Sequence, residues 1–371
     1  MHTFLFVVTF PVTPEELRWI LEGIGGLLLL ILFICVLRKK TVKAEKEAAP
    51  KGLAEVPDRY INPKFRKDPQ SQEQSNLSAG GAKFEGFSVQ TFLTGSPLVD
   101  LWEVVDPKAV PPMKAILNII KTKDDSVIVK KISRAVNLLS GFSHPNIVSF
   151  LGEGKSPCSG EWKQYARYSD HIYYVLTDYV KGGTLNERMA AQENGRLAIS
   201  EAVYITIDIL YAFEFLAYLH LVHRNLKPGN IMIDQRGVAK ITGFYLLKEV
   251  QDSVSETADT ESLTRAGSSL GTPEYMSIEQ CKDAASVDCR SDIYSAGVIL
   301  YQMLTGVSPF RGKNLNETFR NIKTLKPEPV KNLRSDVPDG LATVVMKSIE
   351  REPEKRYQHP TPFRRDLEAL L

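Results

Sequence analysis

The stretch Leu221-Val-His-Arg-Asn-Leu-Lys-Pro-Gly-Asn-Ile-Met-Ile-Asp234 constrains this chain more than any other. It sets His223, Arg224, Asn225, Lys227 and Asn230 between a long apolar-periodic segment and a short β-like run. A loop of that composition can satisfy its backbone with water, while the rigid elements on either side aim its side chains at a ligand. Upstream, in Ser200 to Leu219, the residues Val203, Ile207, Leu210, Phe213 and Ala217 recur at helical spacing, with Ser200 as the expected N-cap. Short strand-like runs at Ser126–Val129, Ile147–Leu151 and Ile172–Leu176 dominate as far as about Tyr179. Beyond Gly182-Gly183 the segments are longer and helical. A β-rich first lobe followed by an α-rich second lobe is expected, an α+β architecture.

The N-terminal part reads differently. From Trp19 to Leu37 the chain is apolar except for Glu22, and at about 1.5 Å rise per residue the segment approaches the roughly 30 Å hydrocarbon core of a bilayer. One transmembrane helix is therefore expected over 19–37, after a short extracytoplasmic segment, 1–18. A cleaved signal peptide fits less well, because no basic region precedes the run and no small-residue cleavage site follows it. Arg38, Lys39, Lys40, Lys43 and Lys46 follow the span, and only Arg18 lies close before it, so the C-terminal side is expected in the cytoplasm. Glu22, near the outer end, can reach the headgroups. Residues 38–86, rich in Lys, Glu, Pro, Ser, Gln and Gly, cannot bury enough apolar surface to offset their ordering entropy and read as a flexible linker. A net charge of +2 argues against a nucleic-acid partner. Cys35, Cys158, Cys281 and Cys289 are scattered and read as reduced thiols rather than a metal site or disulfide framework.

The loop at 221–234 closely resembles the catalytic loop of eukaryotic-type (Hanks-type) serine/threonine protein kinases, His-Arg-Asp-x-Lys-x-x-x-Asn, with Asn225 where the family has Asp. Further stretches resemble the same family in order. Gly141-Phe-Ser-His-Pro-Asn-Ile-Val148 resembles the turn after helix C. Tyr174-Val-Leu-Thr-Asp-Tyr-Val-Lys-Gly-Gly183 resembles the fifth strand and hinge, and Ala239-Lys-Ile-Thr-Gly-Phe-Tyr245 the Asp-Phe-Gly segment. Gly271-Thr-Pro-Glu-Tyr-Met-Ser-Ile-Glu279, Ser291-Asp-Ile-Tyr-Ser-Ala-Gly297 and Pro353-Glu-Lys-Arg356 resemble the end of the activation segment, the start of helix F and the late arginine motif. The wording is closer to bacterial membrane kinases than to animal tyrosine kinases. The resemblance implies a two-lobed kinase-like domain over 87–371, with its N-lobe at about 87–180 and its C-lobe at about 181–371.

The resemblance also implies where phosphoryl-transfer residues should stand. Thr94, Ser96 and Val99 fall at the three glycine positions of the phosphate-binding loop, with Gly95 out of phase. Leu117 falls at the phosphate-contacting strand lysine; a shift of one would give Asn118, and Lys114 or Lys121 could reach in from a strand end. Ala135 stands at the helix C glutamate. Thr177 and Asp178 lie where the hinge faces the nucleotide. Gly243 occupies the metal-binding Asp position, so Asn230 is the one metal ligand retained, and magnesium normally needs a carboxylate. Asn225 has no useful basicity near neutral pH, and Lys227 is kept. The residues the family uses for architecture are present: His223 and Arg224 in the loop, Phe244 beneath it, Asp292 behind it, and Glu279 with Arg356 as a buried ion pair.

The expectation is a catalytically impaired kinase-like protein, a pseudokinase, acting as scaffold or allosteric partner of an active kinase or other signalling protein. The alternatives are a weak atypical serine/threonine kinase and a nucleotide sensor. No cofactor is expected, with ATP bound without Mg²⁺ as the alternative. The Ser/Thr-rich segment Leu246–Gly271 reads most simply as disordered, or else as a phosphoacceptor loop. Lys155–Asp170 is an insertion foreign to the family pattern.

Overall fold

Period-two alternation in the first lobe sorts side chains onto two faces of a sheet, and both faces are buried. A computed structural model of the protein describes residues 82–96, 98–123, 126–249, 273–282 and 287–371. The expected membrane span at 19–37, its flanking segments and most of the Ser/Thr-rich segment lie outside the described residues. No helix among the described residues is long and apolar enough to cross a membrane.

Six antiparallel strands form the sheet: β1 (Lys83–Phe84), β2 (Phe87–Gly95), β3 (Val99–Asp106), β4 (Met113–Ile120), β5 (Phe150–Pro157) and β6 (His171–Asp178). Their order is β1-β2-β3-β4-β6-β5. One helix, α1 (Val127–Ser140), packs on the inner face. There Val129, Ile132 and Val136 meet Val99, Ile120, Tyr173 and Val175. Ala115, Leu117 and Ile119 alternate onto the outer face with Trp102 and Val104.

Three boundaries differ from the sequence reading. Residues 82–86 belong to the domain and not to the linker: Ala82 and Phe84 are buried, and β1 pairs with β2. Ser126–Val129 opens a helix instead of a strand. The Ser126 side chain caps it by accepting from Val129 N at 3.2 Å, and burial of residues at helical spacing overrides the strand preference of Val-Ile-Val. The strand expected at Ile147–Leu151 begins at Phe150, and Ile147 instead makes a single bridge to Ile241.

The insertion at 155–170 has a structural role. Its 3₁₀ turns, Gly160–Arg167, bury Trp162 and Tyr165 over the outer face of the sheet. Trp162 Nε1 donates to the Lys83 carbonyl at 3.0 Å, Trp102 Nε1 to Tyr165 OH at 3.3 Å, and Tyr165 OH to Asp100 Oδ2 at 2.9 Å. The Phe84 and Trp102 rings meet Trp162 edge-on at 5.0 and 5.6 Å. The early strand and the insertion thus hold each other in place.

The second lobe starts with β7 (Gly182–Thr184) and α2 (Leu185–Ala190), followed by α3 (Ile199–Tyr218), which begins one residue before Ser200, with Ala198 in place of Ser200 as the cap. Short strands β8 (Leu221–Val222), β9 (Ile231–Asp234), β10 (Ala239–Ile241) and β11 (Lys248–Glu249) carry the loop at its centre. Helices α4 (Ile278–Lys282), α5 (Cys289–Thr305), α6 (Leu315–Thr324), α7 (Val330–Leu333), α8 (Asp339–Ser348) and α9 (Pro360–Glu368) complete it. Helix α5 is buried on nearly every side, and α3, α8 and α9 pack around it. Gly297 permits this: a Cβ there would lie 2.1 Å from Ser348 Oγ.

If the insertion is part of the core, Trp162→Ala should lower the unfolding free energy by about 3–5 kcal/mol in urea titration. A loss below about 1 kcal/mol, the scale of a surface change, would show that the insertion merely rests on the sheet.

Candidate functional site

Asp292, in the first turn of α5, accepts from His223 N at 2.7 Å and from Arg224 N at 2.9 Å. Both amides reach one carboxylate in a backbone where Arg224 stands at φ 63°, a left-handed conformation costing of order 1–3 kcal/mol. His223 is fully buried. Its Nε2 lies 3.1 Å from the Thr242 carbonyl, and its Nδ1 accepts from Asn225 N at 3.3 Å, which places the ring proton on Nε2. Burial pushes the imidazole down to about 4, so it is neutral at physiological pH. Phe244 packs against it edge-on at 4.7 Å.

The two side-chain amides of the loop each donate to a backbone carbonyl. Asn225 Nδ2 donates to the Gly243 carbonyl at 3.0 Å, and Asn230 Nδ2 donates to the Asn225 carbonyl at 2.7 Å. Gly243 stands at φ 83°, and a Cβ there would sit 2.6 Å from Asn230 Cγ. Position 243 therefore has no carboxylate, and no room for one while Asn230 keeps this rotamer. The residues present do not fit a magnesium ion, which wants carboxylate and phosphate oxygens in near-octahedral array.

The assignment of Leu117 to the strand-lysine position is corrected by the sheet. Leu117 lies on the outer face with Trp102, and its neighbour Asn118 faces the cleft between the lobes. Asn118 Nδ2 donates to the Val175 carbonyl at 3.0 Å and to Thr177 Oγ1 at 3.3 Å, and its Oδ1 accepts from the Tyr245 hydroxyl. Ala135 of α1 lines the same cavity, whose remaining void is about 10 Å³, room for one water at most. Where the family joins a lysine to a glutamate, this chain joins an asparagine to a tyrosine. Neither nearby lysine substitutes. Lys121 pairs with Asp100 at 2.7 Å, and Lys114 pairs with Glu103.

Thr177 is buried and its hydroxyl is engaged by Asn118, while Asp178 N donates to the Ser149 carbonyl at 3.0 Å. At the expected phosphate loop, Ser96 closes a tight hairpin: its amide donates to the Val99 carbonyl at 2.8 Å, and its Oγ accepts from Val99 N at 3.0 Å. Thr94 pairs with Leu101 across the strands. At the far side of the lobe, Arg356 forks onto Glu279 at 2.6 and 3.0 Å and lies over the Tyr294 ring. Burial pushes the Glu279 carboxyl up, but the Arg356 bonds and charge outweigh it and hold the group below its ordinary value.

A β-rich lobe and a helical lobe meeting at a loop clamped by a helix carboxylate is the architecture of a protein kinase domain. A family model of the protein kinase domain matches residues 112–363, and the chain belongs to that family. Its relatives are bacterial serine/threonine kinases. It is 31% identical over 249 residues to a probable serine/threonine-protein kinase, CPE1738, of Clostridium perfringens, which covers 67% of this chain and 33% of that protein. It is 29% identical over 249 residues to the serine/threonine-protein kinase PrkC of Bacillus subtilis, covering 67% and 35%. The chain thus spans about a third of the length of these relatives. The PknI kinase domain of Mycobacterium tuberculosis shares the fold with a TM-score of 0.58 at 18% identity, over 80% of this chain and all of that one (100%).

Two groups at the clamp titrate with opposite sign. His223 is held below its unfolded value of 6.5, so it loses stability as pH falls from 6.5 toward 4, because the unfolded chain takes the proton first. Burial pushes Asp292 up to about 7 against the pull of its two amide donors, so between pH 7 and 3.8 the folded chain takes the proton first and gains stability on acidification. Asp292→Asn removes the second contribution. Between pH 7 and 5 its unfolding free energy should fall relative to the wild type by about 2 kcal/mol, beyond any constant offset. Parallel pH profiles in urea titrations would contradict this.

Proposed function

We propose that this chain is a kinase fold kept without phosphoryl transfer, a pseudokinase. It is anchored by one membrane span at 19–37 with its kinase-like domain in the cytoplasm, and it acts as a scaffold or allosteric partner of another signalling protein such as an active kinase. The observation that carries this reading is the Asn118–Tyr245 bond, which fills the place where a lysine–glutamate pair would hold nucleotide phosphates. Phosphoryl transfer depends on positioning phosphates, neutralising their charge with metal and orienting a hydroxyl toward a base. At the base position Asn225 offers an amide, which forgoes a general-base contribution of roughly 10²–10⁴ in rate. At the metal position Gly243 offers only backbone.

The groups that shape the domain support the same reading. Asp292, His223, Glu279 and Arg356 are buried or nearly so and fully engaged with their partners. A chain drifting toward loss of fold would not hold a buried ion pair whose disruption costs about 3–5 kcal/mol.

Thermal unfolding of the full chain in the presence of ATP, with and without Mg²⁺, tests the reading, because a ligand that binds only the folded state must raise its apparent stability. No magnesium-dependent rise in the unfolding midpoint is expected at millimolar ATP. A rise that requires magnesium would count against the reading, and a rise without magnesium would indicate a nucleotide sensor.

A further inference from the structure

The insertion at 155–170 reaches beyond the strand it covers. Tyr165, buried in its 3₁₀ turns, donates its hydroxyl to Asp100 Oδ2 at 2.9 Å, and the phenol oxygen accepts in turn from Trp102 Nε1 at 3.3 Å. The other carboxylate oxygen, Asp100 Oδ1, accepts from Lys121 Nζ at 2.7 Å, and both side chains of that pair are largely shielded from water. One carboxylate thus joins three parts of the lobe: β3, the residue that follows β4, and the insertion. Bonds in such a chain polarise one another, and the two that end on the carboxylate are charge-assisted.

Asp100 stands opposite Gly95 in the register of β2 with β3, and a Cβ at Gly95 would lie 2.6 Å from Asp100 Oδ1 and 3.1 Å from the Phe92 ring. The carboxylate therefore lies over the backbone of the β2–β3 hairpin, next to the end that Ser96 and Val99 close. Gly95, out of phase with the glycine positions of the family, has its use here as the residue that admits the carboxylate. A second, apolar route runs the same way. Phe92 of β2 meets Trp102 edge-on at 4.9 Å, and Trp102 meets Trp162 of the insertion at 5.6 Å. Both routes start in the insertion and end on the hairpin.

We propose that the insertion is a strap that holds the β2–β3 hairpin from the outer face of the sheet, with the Tyr165–Asp100 bond as its latch. With the latch made, the hairpin moves only with the sheet. With it broken, the hairpin opens locally while the rest of the sheet and the second lobe stay folded, since local openings draw on local contacts. Whatever displaces Tyr165 from the outer face is thereby transmitted to the hairpin. The strap is a property of this chain's fold and stands apart from whether the chain transfers phosphate.

Hydrogen–deuterium exchange of the full chain in detergent, read by mass spectrometry, tests the latch. Tyr165→Phe keeps the ring and removes only the hydroxyl, so the carboxylate loses one of its two donors and the Trp102 indole loses its acceptor. Peptides that carry the amides of Ser96 and Val99, which are bonded across the hairpin, should then exchange about tenfold faster or more. Peptides of α5 should exchange as in the wild type. Lys121→Gln, which removes the other donor to the same carboxylate, should free the same hairpin peptides. Unchanged exchange at Ser96 and Val99 in Tyr165→Phe would overturn the strap. An equal rise in the hairpin and in α5 would also overturn it, because Tyr165 would then support the whole fold rather than the hairpin. An effect of Lys121→Gln without one of Tyr165→Phe would assign the hold on the hairpin to β4 and take the insertion out of it.

Discussion

Two backbone hydrogens donated to one carboxylate, from His223 and Arg224 to Asp292, fix the centre of this protein. They hold Arg224 in a left-handed conformation it would not adopt unaided, and so set the path of the chain from β8 into the 3₁₀ turn and β9. The carboxylate can do this because α5 is immobilised by burial on nearly every side, with Gly297 admitting Ser348 at close range. The Arg356–Glu279 pair stands at the base of the same helix: Arg356 also donates to the Arg290 carbonyl, and Glu279 accepts from Ser291. The loop's geometry is therefore tied to the second lobe's core.

Across the cleft, the tie between the sheet, helix α1 and the Gly243-Phe-Tyr245 segment is neutral. A buried ion pair must recover the hydration lost by two charges, whereas an amide and a phenol lose less and still define a direction. Asn118 is held by two bonds to β6 before it accepts from Tyr245, so the phenol meets a partner already in position. Phe244 continues the contact by bridging Phe150 and His223. Neutral side chains of this chain thus make the contacts between the sheet and the Gly243-Phe-Tyr245 segment.

Much of this was legible in the sequence. His223, Asp292, Glu279 and Arg356 fall inside motifs whose spacing admits no slippage, and each makes the contact its place implies. At the strand position the sequence leaves Leu117 and, one residue on, Asn118; in a strand one residue changes the face, and the sheet selects Asn118. Tyr245 gave no warning because its role depends on where Asn118 points, a matter of register between distant strands. The insertion signalled its burial through Trp162 and Tyr165, aromatic residues in an otherwise polar stretch, and the partner that covers them, β1, lay in what composition marked as linker. Ser126–Val129 was misread because β-branched residues favour strands until a helix face has a sheet to bury against.

Whether the shape of the loop has outlasted its chemistry is decided most directly by phosphate transfer. The full chain, incubated with γ-labelled ATP and magnesium or manganese in the presence of a general acceptor protein such as casein, should incorporate no more label than an Asn230→Ala variant. Metal-dependent incorporation above that variant, into the acceptor or into the chain itself, would mean that Asn225 and Gly243 belong to a working catalyst.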